Sequence, residues 1–176
     1  QNENEDRRNQ RPGVSVVDHD EWELLAADQD SFSVSGDISE CDESKTKVEP
    51  INGQAAFGVS TVGCNYATVR QSVQSAGERG DFLYLRAWHF DLTAPDAGTA
   101  HMAVNISGES FWEATTGIPS ESCLYARNIE LVSGDAFSSD AEIEFHVDNH
   151  GSNEYYLIDV RLVDEPVEVN GTCESD

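Results

Sequence analysis

Two neighbouring runs of alternating residues near the C-terminal end constrain the fold of this chain most strongly. In the first run, apolar Ile143, Phe145 and Val147 alternate with polar residues, and the second run covers 155–163. Alternation with a period of two is typical of a β-strand with one buried and one solvated face. Residues 148–153, between the runs, are a cluster of Asp, Asn, Gly and Ser that predicts a turn. The whole segment is therefore predicted to be a β-hairpin.

The rest of the chain shows the same kind of pattern. The most apolar run is 81–92, where both alternating sets of residues are largely apolar, as expected for a central strand of a sandwich. About ten short segments with strand patterns are separated by turn signals, and no helical period is sustained. The sequence therefore predicts an all-β protein, an antiparallel β-sandwich with a jelly-roll or another Greek-key arrangement.

The first 13 residues differ from the remainder, because they contain no Val, Ile, Leu, Phe, Trp or Tyr. Such a segment cannot bury enough apolar surface to offset its ordering entropy. We predict a polar, extended N-terminal arm over 1–13 and a single sandwich domain over 14–176.

A short apolar strand, containing Val14, Val16 and Val17, follows the arm directly. A strand of this kind can add to the open sheet edge of another copy of the chain. Repeated head to tail, this contact would build a filament, because a heterologous contact need not close. The sequence thus offers two classes of function, a free binding module and a structural subunit that polymerises through its N-terminal arm.

Acidic residues dominate the charge of the chain. There are 34 Asp and Glu against 10 Lys and Arg, which gives a formal net charge of −24. This charge repels nucleic-acid phosphates and anionic membranes, so neither is an expected partner. It attracts cations, and carboxylates are oxygen ligands that suit Ca²⁺. The acid-rich, lysine-poor composition indicates either adaptation to high salt, which screens the repulsion, or an acidic secreted protein in a calcium-rich setting.

Four cysteines, Cys41, Cys64, Cys123 and Cys173, lie far apart in the sequence. None belongs to a C-x-x-C pair, which argues against a zinc or redox motif. An even number of cysteines in separate loops predicts two disulfides and an oxidising compartment. Of the three possible pairings, sequence locality favours Cys41–Cys64 with Cys123–Cys173.

Further features point to a secreted or cell-surface protein. The chain begins with Gln1 rather than Met, as expected either after removal of a targeting peptide or for a piece of a longer chain. Asn105 and Asn170 begin glycosylation sequons. No apolar run is long enough for a transmembrane helix, so membrane insertion is not expected.

Catalytic motifs are not recognisable in the sequence. The five histidines show no metal-ligand spacing, and His146 and His150 fall in a predicted strand and turn rather than on one helix face. With so many acids, no pair of carboxylates stands out for glycoside hydrolysis. Phosphate-binding and nucleophile-elbow motifs are missing as well. A protein that is not an enzyme is therefore expected.

Sugar binding requires aromatic rings flanked by hydrogen-bonding groups, because the C–H faces of sugars pack on rings. Trp112 follows a polar turn and is expected to be exposed, whereas Trp88 lies in the most apolar run and is expected in the core. Trp112, Tyr125 and Tyr66 are the candidate ligand-binding rings. For each ring taken singly, packing in the core is the better interpretation.

Three pieces of the chain resemble one known family. Residues 66–74 read YATVRQSVQ and precede a glycine-containing turn and FLYLRAW; later, IEFHV precedes a polar turn and YYLIDVRL. The order resembles that of carbohydrate-binding modules of the galactose-binding-like jelly-roll superfamily, over residues 55–164. Those modules have a strand ending in Gln-x-Val, a glycine turn, a Tyr-x-Leu-x-x-Trp-type strand and a closing Tyr-Tyr-Ile-Asp-Asp-Val-x-Leu strand. The second Asp of the closing pattern is missing here, since Val160 follows Asp159.

The resemblance implies a secreted, non-catalytic module whose partner is a glycan or polysaccharide. It also implies a structural calcium ion held by carboxylates from the first and last strands. Asp159 occupies the matching position in the last strand, and Asp18, Asp20 or Glu21 is the candidate at the other end. The alternative is that Asp159 accepts backbone hydrogen bonds or pairs with an arginine such as Arg70.

Overall fold

The computed structural model of the protein describes residues 13–32, 36–169 and 173. Within these residues the chain forms eleven β-strands and one short 3-10 helix, Glu43–Lys45. No helix among the described residues is long and apolar enough to cross a membrane. The strands are β1 (Val14–Ser15), β2 (Glu23–Leu25), β3 (Thr46–Ile51), β4 (Gln54–Ser60), β5 (Tyr66–Ser72), β6 (Phe82–His89), β7 (Gly98–Ile106), β8 (Glu109–Ile118), β9 (Cys123–Glu130), β10 (Glu142–Asn149) and β11 (Glu154–Val163).

The strands form two antiparallel sheets packed face to face, which confirms the predicted all-β jelly-roll sandwich. One sheet is six-stranded with the order β3-β4-β11-β6-β9, and β1 also pairs with β11. The other sheet is five-stranded with the order β2-β5-β10-β7-β8. From β8 to β11 the chain moves to the opposite sheet at every strand, as in a Greek-key connection.

The predicted C-terminal hairpin is wrong in its pairing, although both of its strands exist. β10 pairs with β5 and β7 in the five-stranded sheet, whereas β11 pairs with β4 and β6 in the six-stranded sheet. The polar loop 150–153 therefore crosses between the sheets instead of closing a hairpin. A polar loop is compatible with either connection, and only the long-range pairing distinguishes them.

The core lies between the two sheets and is built by the alternation seen in the sequence. Ile143, Phe145 and Val147 of β10 are buried on the inner face of one sheet. Leu83 and Leu85 of β6 are fully buried on the facing sheet. Burial of each such side chain stabilises the fold by about 1.5–3 kcal/mol, so the inner faces of both sheets are strongly specified.

The valine segment after the predicted arm pairs within its own chain. Val14–Ser15 lies antiparallel to β11, and the Val16 N–H donates to the Val160 carbonyl at 2.8 Å. Val16 and Val17 are buried in the core, and Val14 is exposed. Strand exchange with a neighbouring copy is therefore not favoured, because the chain's own sheet already accepts this segment. Residues 1–12 of the arm lie outside the described residues.

Both predicted disulfides are confirmed. Cys41 and Cys64 are joined with their Cα atoms 5.1 Å apart, and Cys123 and Cys173 with theirs 5.9 Å apart. The Cys173 N–H also donates to the Leu124 carbonyl at 2.8 Å, so this residue lies along the free edge of β9.

Candidate functional site

The outer face of the five-stranded sheet is polar. Since side chains of a strand alternate between two faces, the same alternation that buries the apolar residues of β10 points Glu144, His146 and Asp148 outward. Glu144 and His146 are nevertheless buried, and Asp148 is half-buried. Titratable groups at buried positions on an outer face require partners, and the neighbouring strands supply them.

Two histidines and one aspartate meet on this face. His101 on β7 lies opposite Asp148 in the strand register. Its Nδ1 is 3.0 Å from Asp148 Oδ2, and His146 Nε2 is 2.7 Å from the same oxygen. The three potential ligand atoms all lie within 4.8 Å of one another. We call His101, His146 and Asp148 the His–Asp cluster.

The sequence spacing of the histidines gave no sign of this cluster. His101 and His146 belong to different strands that are neighbours only in the folded sheet, so their sequence spacing carries no signal. A local signal does exist for the other pair. His146 and Asp148 are two residues apart in a predicted strand, which places both side chains on the same face.

Each imidazole of the His–Asp cluster has a second polar partner. His146 Nδ1 is 2.7 Å from Thr68 Oγ1, and His101 Nε2 is 3.3 Å from Glu113 Oε2. Burial alone would raise the pKa of Asp148, but the hydrogen bonds from His101 and His146 outweigh it and lower that pKa to about 2. The hydrogen bond to Asp148 is the main cause that raises the pKa of His101 above its usual value.

A segment of the chain covers part of the polar face. Within this covering segment, residues 29–32, the Ser31 hydroxyl donates to Glu144 at 2.9 Å. The Phe32 ring stacks on the His146 ring with centroids 4.2 Å apart and an interplanar angle of 14°. The covering segment thus satisfies the buried Glu144 and shields one face of the His146 imidazole from water.

The outer face of the six-stranded sheet carries a different surface, an aromatic patch of Trp88, Phe90 and Tyr156. The Phe90 ring is perpendicular to both others, with centroids 6.0 Å from Trp88 and 5.7 Å from Tyr156. Phe90 is 42% exposed, Trp88 is half-buried and Tyr156 is buried beneath them. Gly58 makes room for the Tyr156 ring, because a Cβ atom there would lie 2.5 Å from it.

A polar rim borders the aromatic patch, formed by Lys47, Glu49 and Glu154. Lys47 Nζ lies 3.0 Å from Glu154 Oε1 and 3.2 Å from Glu49 Oε1. The Tyr156 hydroxyl donates to Glu49, and this hydrogen bond is the main cause that lowers the pKa of Glu49. The patch therefore combines apolar ring surface with charged hydrogen-bonding groups at its border.

The structure buries all three predicted ligand-binding rings. Trp112 is only 6% exposed, so its predicted exposure is wrong, while Tyr125 and Tyr66 are almost completely buried. Core packing is confirmed for Trp112 and Tyr125. The Tyr66 ring lies instead on the outer face of the five-stranded sheet, 4.8 Å from the His146 ring between centroids, and its hydroxyl donates to Asp30. Trp88, expected in the core, points outward instead. Smaller side chains of β6 fill its inner face, and the alternation leaves the tryptophan on the other side.

The three predicted calcium ligands line one recess of about 550 Å³. It lies beside β11, between the part of β11 that pairs with β4 and the part that pairs with β1. Asp159 is buried and accepts a hydrogen bond from Arg86 Nε at 2.8 Å. Asp18 is exposed and accepts the backbone N–H of Asp20 at 3.0 Å. The arginine partner of Asp159 is thus Arg86 rather than Arg70, and calcium at this recess stays a prediction.

The two predicted glycosylation sites differ in what the structure describes. The Asn105 side chain is buried in β7, and its Nδ2 donates to Ser31 Oγ at 3.1 Å. A glycan attached to that nitrogen would displace the covering segment, so the folded structure speaks against modification at Asn105. Asn170 lies outside the described residues.

No protein-family model matches the sequence, and no curated protein matches it. Similar solved structures are mostly carbohydrate-binding modules. A family 11 carbohydrate-binding module from Clostridium thermocellum, in complex with a β-1,3-1,4-mixed-linked tetrasaccharide, is 14% identical with a TM-score of 0.41, over 88% of this chain and 97% of that chain. TmCBM61 in complex with β-1,4-galactotriose is 13% identical with a TM-score of 0.43, over 82% and 88%.

A Stig cyclase, Fisc from Fischerella sp. TAU, is also similar in structure. It is 9% identical with a TM-score of 0.49, over 88% of this chain and 90% of that chain. Similarities this low identify neither a family nor a ligand for this chain, and only its own side chains bear on its function.

Proposed function

We propose that this protein is a non-catalytic module that binds a glycan at the aromatic patch. The observation that carries the proposal is the exposed Phe90 ring, set perpendicular to the half-buried Trp88 ring and bordered by Lys47, Glu49 and Glu154. The C–H faces of a sugar pack on aromatic rings, and its hydroxyl groups hydrogen-bond to charged side chains at the border of the rings. Tyr156 supports the rings from below and keeps them fixed before binding.

The aromatic patch suits a sugar better than the polar face of the other sheet does. On the polar face, the covering segment already hydrogen-bonds Glu144 and stacks on His146. A glycan bound there would have to displace these internal contacts. The exposed Phe90 ring, by contrast, needs no such displacement.

The charge of the chain narrows the class of glycan. At a net charge of −24, the protein repels polysaccharides that carry carboxylates or sulfates. Two of the three charged groups at the patch are themselves acidic. The proposed ligand is therefore an uncharged polysaccharide.

The proposed location is outside the cell, either secreted or at the cell surface. The two disulfides support this proposal, since such bonds persist in oxidising compartments. The acidic surface suits an exposed extracellular protein as well.

Affinity electrophoresis against soluble polysaccharides tests the proposal. The panel contains neutral glucans, mannans and galactans beside anionic alginate and pectate, and calorimetry measures the affinity for any polysaccharide that retards the protein. We expect retardation by at least one neutral polysaccharide and by no anionic one. Phe90→Ala and Trp88→Ala should each weaken binding at least about tenfold, because each removes ring surface from the patch.

The matched control is Val132→Ala, which shortens an exposed apolar side chain away from the patch and should leave binding unchanged. Binding that survives Phe90→Ala but is lost in Glu113→Ala would move the site to the polar face and contradict the proposal. New reducing ends in the polysaccharide that retards the protein would show that the protein cleaves it, and would contradict the proposal that the module is non-catalytic.

A further inference from the structure

We propose that the His–Asp cluster is a binding site for a zinc-like divalent transition metal, with His101 Nδ1, His146 Nε2 and Asp148 as its three protein ligands. This site lies on the five-stranded sheet, on the other side of the sandwich from the aromatic patch. It is independent of glycan binding and of the recess that contains Asp159.

Two of the three separations between the ligand atoms are close to what such an ion requires. Zinc bonds of about 2.0–2.2 Å in a tetrahedral arrangement separate neighbouring ligand atoms by about 3.3 Å. Here Asp148 Oδ2 is 3.0 Å from His101 Nδ1 and 2.7 Å from His146 Nε2. The two histidine nitrogens lie within 4.8 Å of each other. To admit the ion, the Asp148 carboxylate must move away from both imidazoles by a few tenths of an ångström, and the half-buried His101 side chain must adjust towards His146.

The second partner of each histidine fits metal binding in a specific way. A ligating imidazole donates its other ring N–H to an oxygen, which fixes the ring orientation and the tautomer. Glu113 lies at His101 Nε2, and the Thr68 hydroxyl lies at His146 Nδ1, so both acceptors are already in place.

The ligand types select the class of metal. Two imidazoles and one carboxylate favour zinc and related first-row ions, whereas calcium takes six to eight oxygen ligands. The stacked Phe32 ring and the complete burial of His146 create a dry inner side, which strengthens binding of the ion. His101 and Asp148 are both partly exposed, so a fourth ligand can approach the ion from the solvent side.

Cobalt titration of the metal-free full-length chain tests the site, because Co²⁺ in a four- or five-coordinate site absorbs visible light far more strongly than hydrated Co²⁺. We expect one equivalent of Co²⁺ to produce this absorption and one equivalent of Zn²⁺ to remove it. His101→Gln should weaken Co²⁺ binding by more than about 100-fold, since it removes a ligand, and Thr68→Val by about 10- to 100-fold, since it removes an orienting group.

The matched control is His19→Gln, which removes a half-buried histidine bonded to the Ile158 carbonyl on the other sheet. This variant should bind Co²⁺ as the wild type does. His101 and Glu113 are partly exposed, so His101→Gln and Glu113→Ala are expected to stay folded, and circular dichroism checks each variant. Binding without intense absorption, or binding that His101→Gln and Glu113→Ala leave unchanged, would overturn the proposal.

Discussion

At the scale of single residues, Asp159 shows how the sandwich tolerates a buried charge. Its carboxylate is 4% exposed, and Arg86 donates to it from two guanidinium nitrogens. Removing one partner from a buried ion pair leaves the other charge without compensation. We expect Asp159→Asn to lower the free energy of unfolding by about 3 kcal/mol, measured by urea denaturation.

The control for this prediction is Asp18→Asn, an exposed carboxylate of the same recess. It should change the free energy of unfolding by less than about 0.5 kcal/mol. An Asp159→Asn variant as stable as the wild type would contradict the ion pair. If the predicted calcium ion binds in this recess, Ca²⁺ should raise the melting temperature of the wild type and not that of Asp18→Asn.

A second residue-scale prediction concerns His89, which is fully buried on the inner face of β6. Its Nδ1–H donates to the Phe90 carbonyl at 2.7 Å, and its Nε2 accepts from the Tyr125 hydroxyl at 3.1 Å, so the ring is held neutral. Burial lowers the pKa of His89 below its usual value. Below about pH 6.5 the unfolded chain then binds more protons than the folded chain, and this histidine makes stability fall as the pH falls.

Urea denaturation at pH 8 and pH 5 measures this effect. The free energy of unfolding should fall less from pH 8 to pH 5 in His89→Gln than in the wild type. The expected difference is about 1.4 kcal/mol for each unit by which folding lowers the pKa of His89. His150→Gln, which changes an exposed histidine, should keep the wild-type difference. An unchanged difference in His89→Gln would show that folding does not lower the pKa of His89.

At the scale of the elements, the β3–β4 hairpin depends on the turn residues Asn52 and Gly53. Both have positive φ angles, 51° and 82°, as a two-residue type I′ turn requires. We expect Gly53→Ala to lower the free energy of unfolding by about 1 kcal/mol, because a side chain disfavours this conformation. Thermal denaturation of the variant measures the change.

Gly117 in β8 is the control for the turn. A Cβ atom there meets nothing within 4 Å, and its φ angle does not lie in the left-handed region. Gly117→Ala should leave the melting temperature unchanged or raise it slightly. Equal losses in the two variants would mean that the turn conformation does not determine the stability of this hairpin.

At the scale of the whole molecule, the net charge of −24 opposes compaction. Salt screens charges that lie farther apart than the Debye length, which falls from about 10 Å at 0.1 M to about 3 Å at 1 M. We therefore expect the melting temperature to rise steeply between low and molar NaCl. Differential scanning calorimetry at several salt concentrations measures the rise.

A variant with less negative charge is the control. Four exposed acids, changed together to the corresponding amides, reduce the repulsion without removing buried contacts: Asp96, Glu109, Glu121 and Asp140. This variant should be more stable than the wild type at low salt and should gain less from added salt. A melting temperature that does not respond to salt would leave specific cation binding, rather than self-repulsion, as the reason for so many acids.

The sequence by itself determined the strands, their buried faces and the disulfide pairing that locality favours. Period-two alternation is a local property, so β10, β11 and the apolar run of β6 can be identified without any knowledge of their partners. The same alternation also indicates on which face of β6 Trp88 lies, because the smaller residues of the other alternating set fill the core. The prediction that Trp88 lies in the core was wrong because it relied on how apolar the run is and not on the alternation within it.

Only the tertiary structure decided which strands are neighbours. β10 and β11 follow one another in sequence yet belong to different sheets, since pairing depends on contacts between residues far apart in the chain. The same long-range pairing brings His101 to His146 and Asp148, and Phe90 to Tyr156. Both proposed sites are therefore products of strand pairing, which hydrogen bonds and core packing select together and which no local pattern encodes.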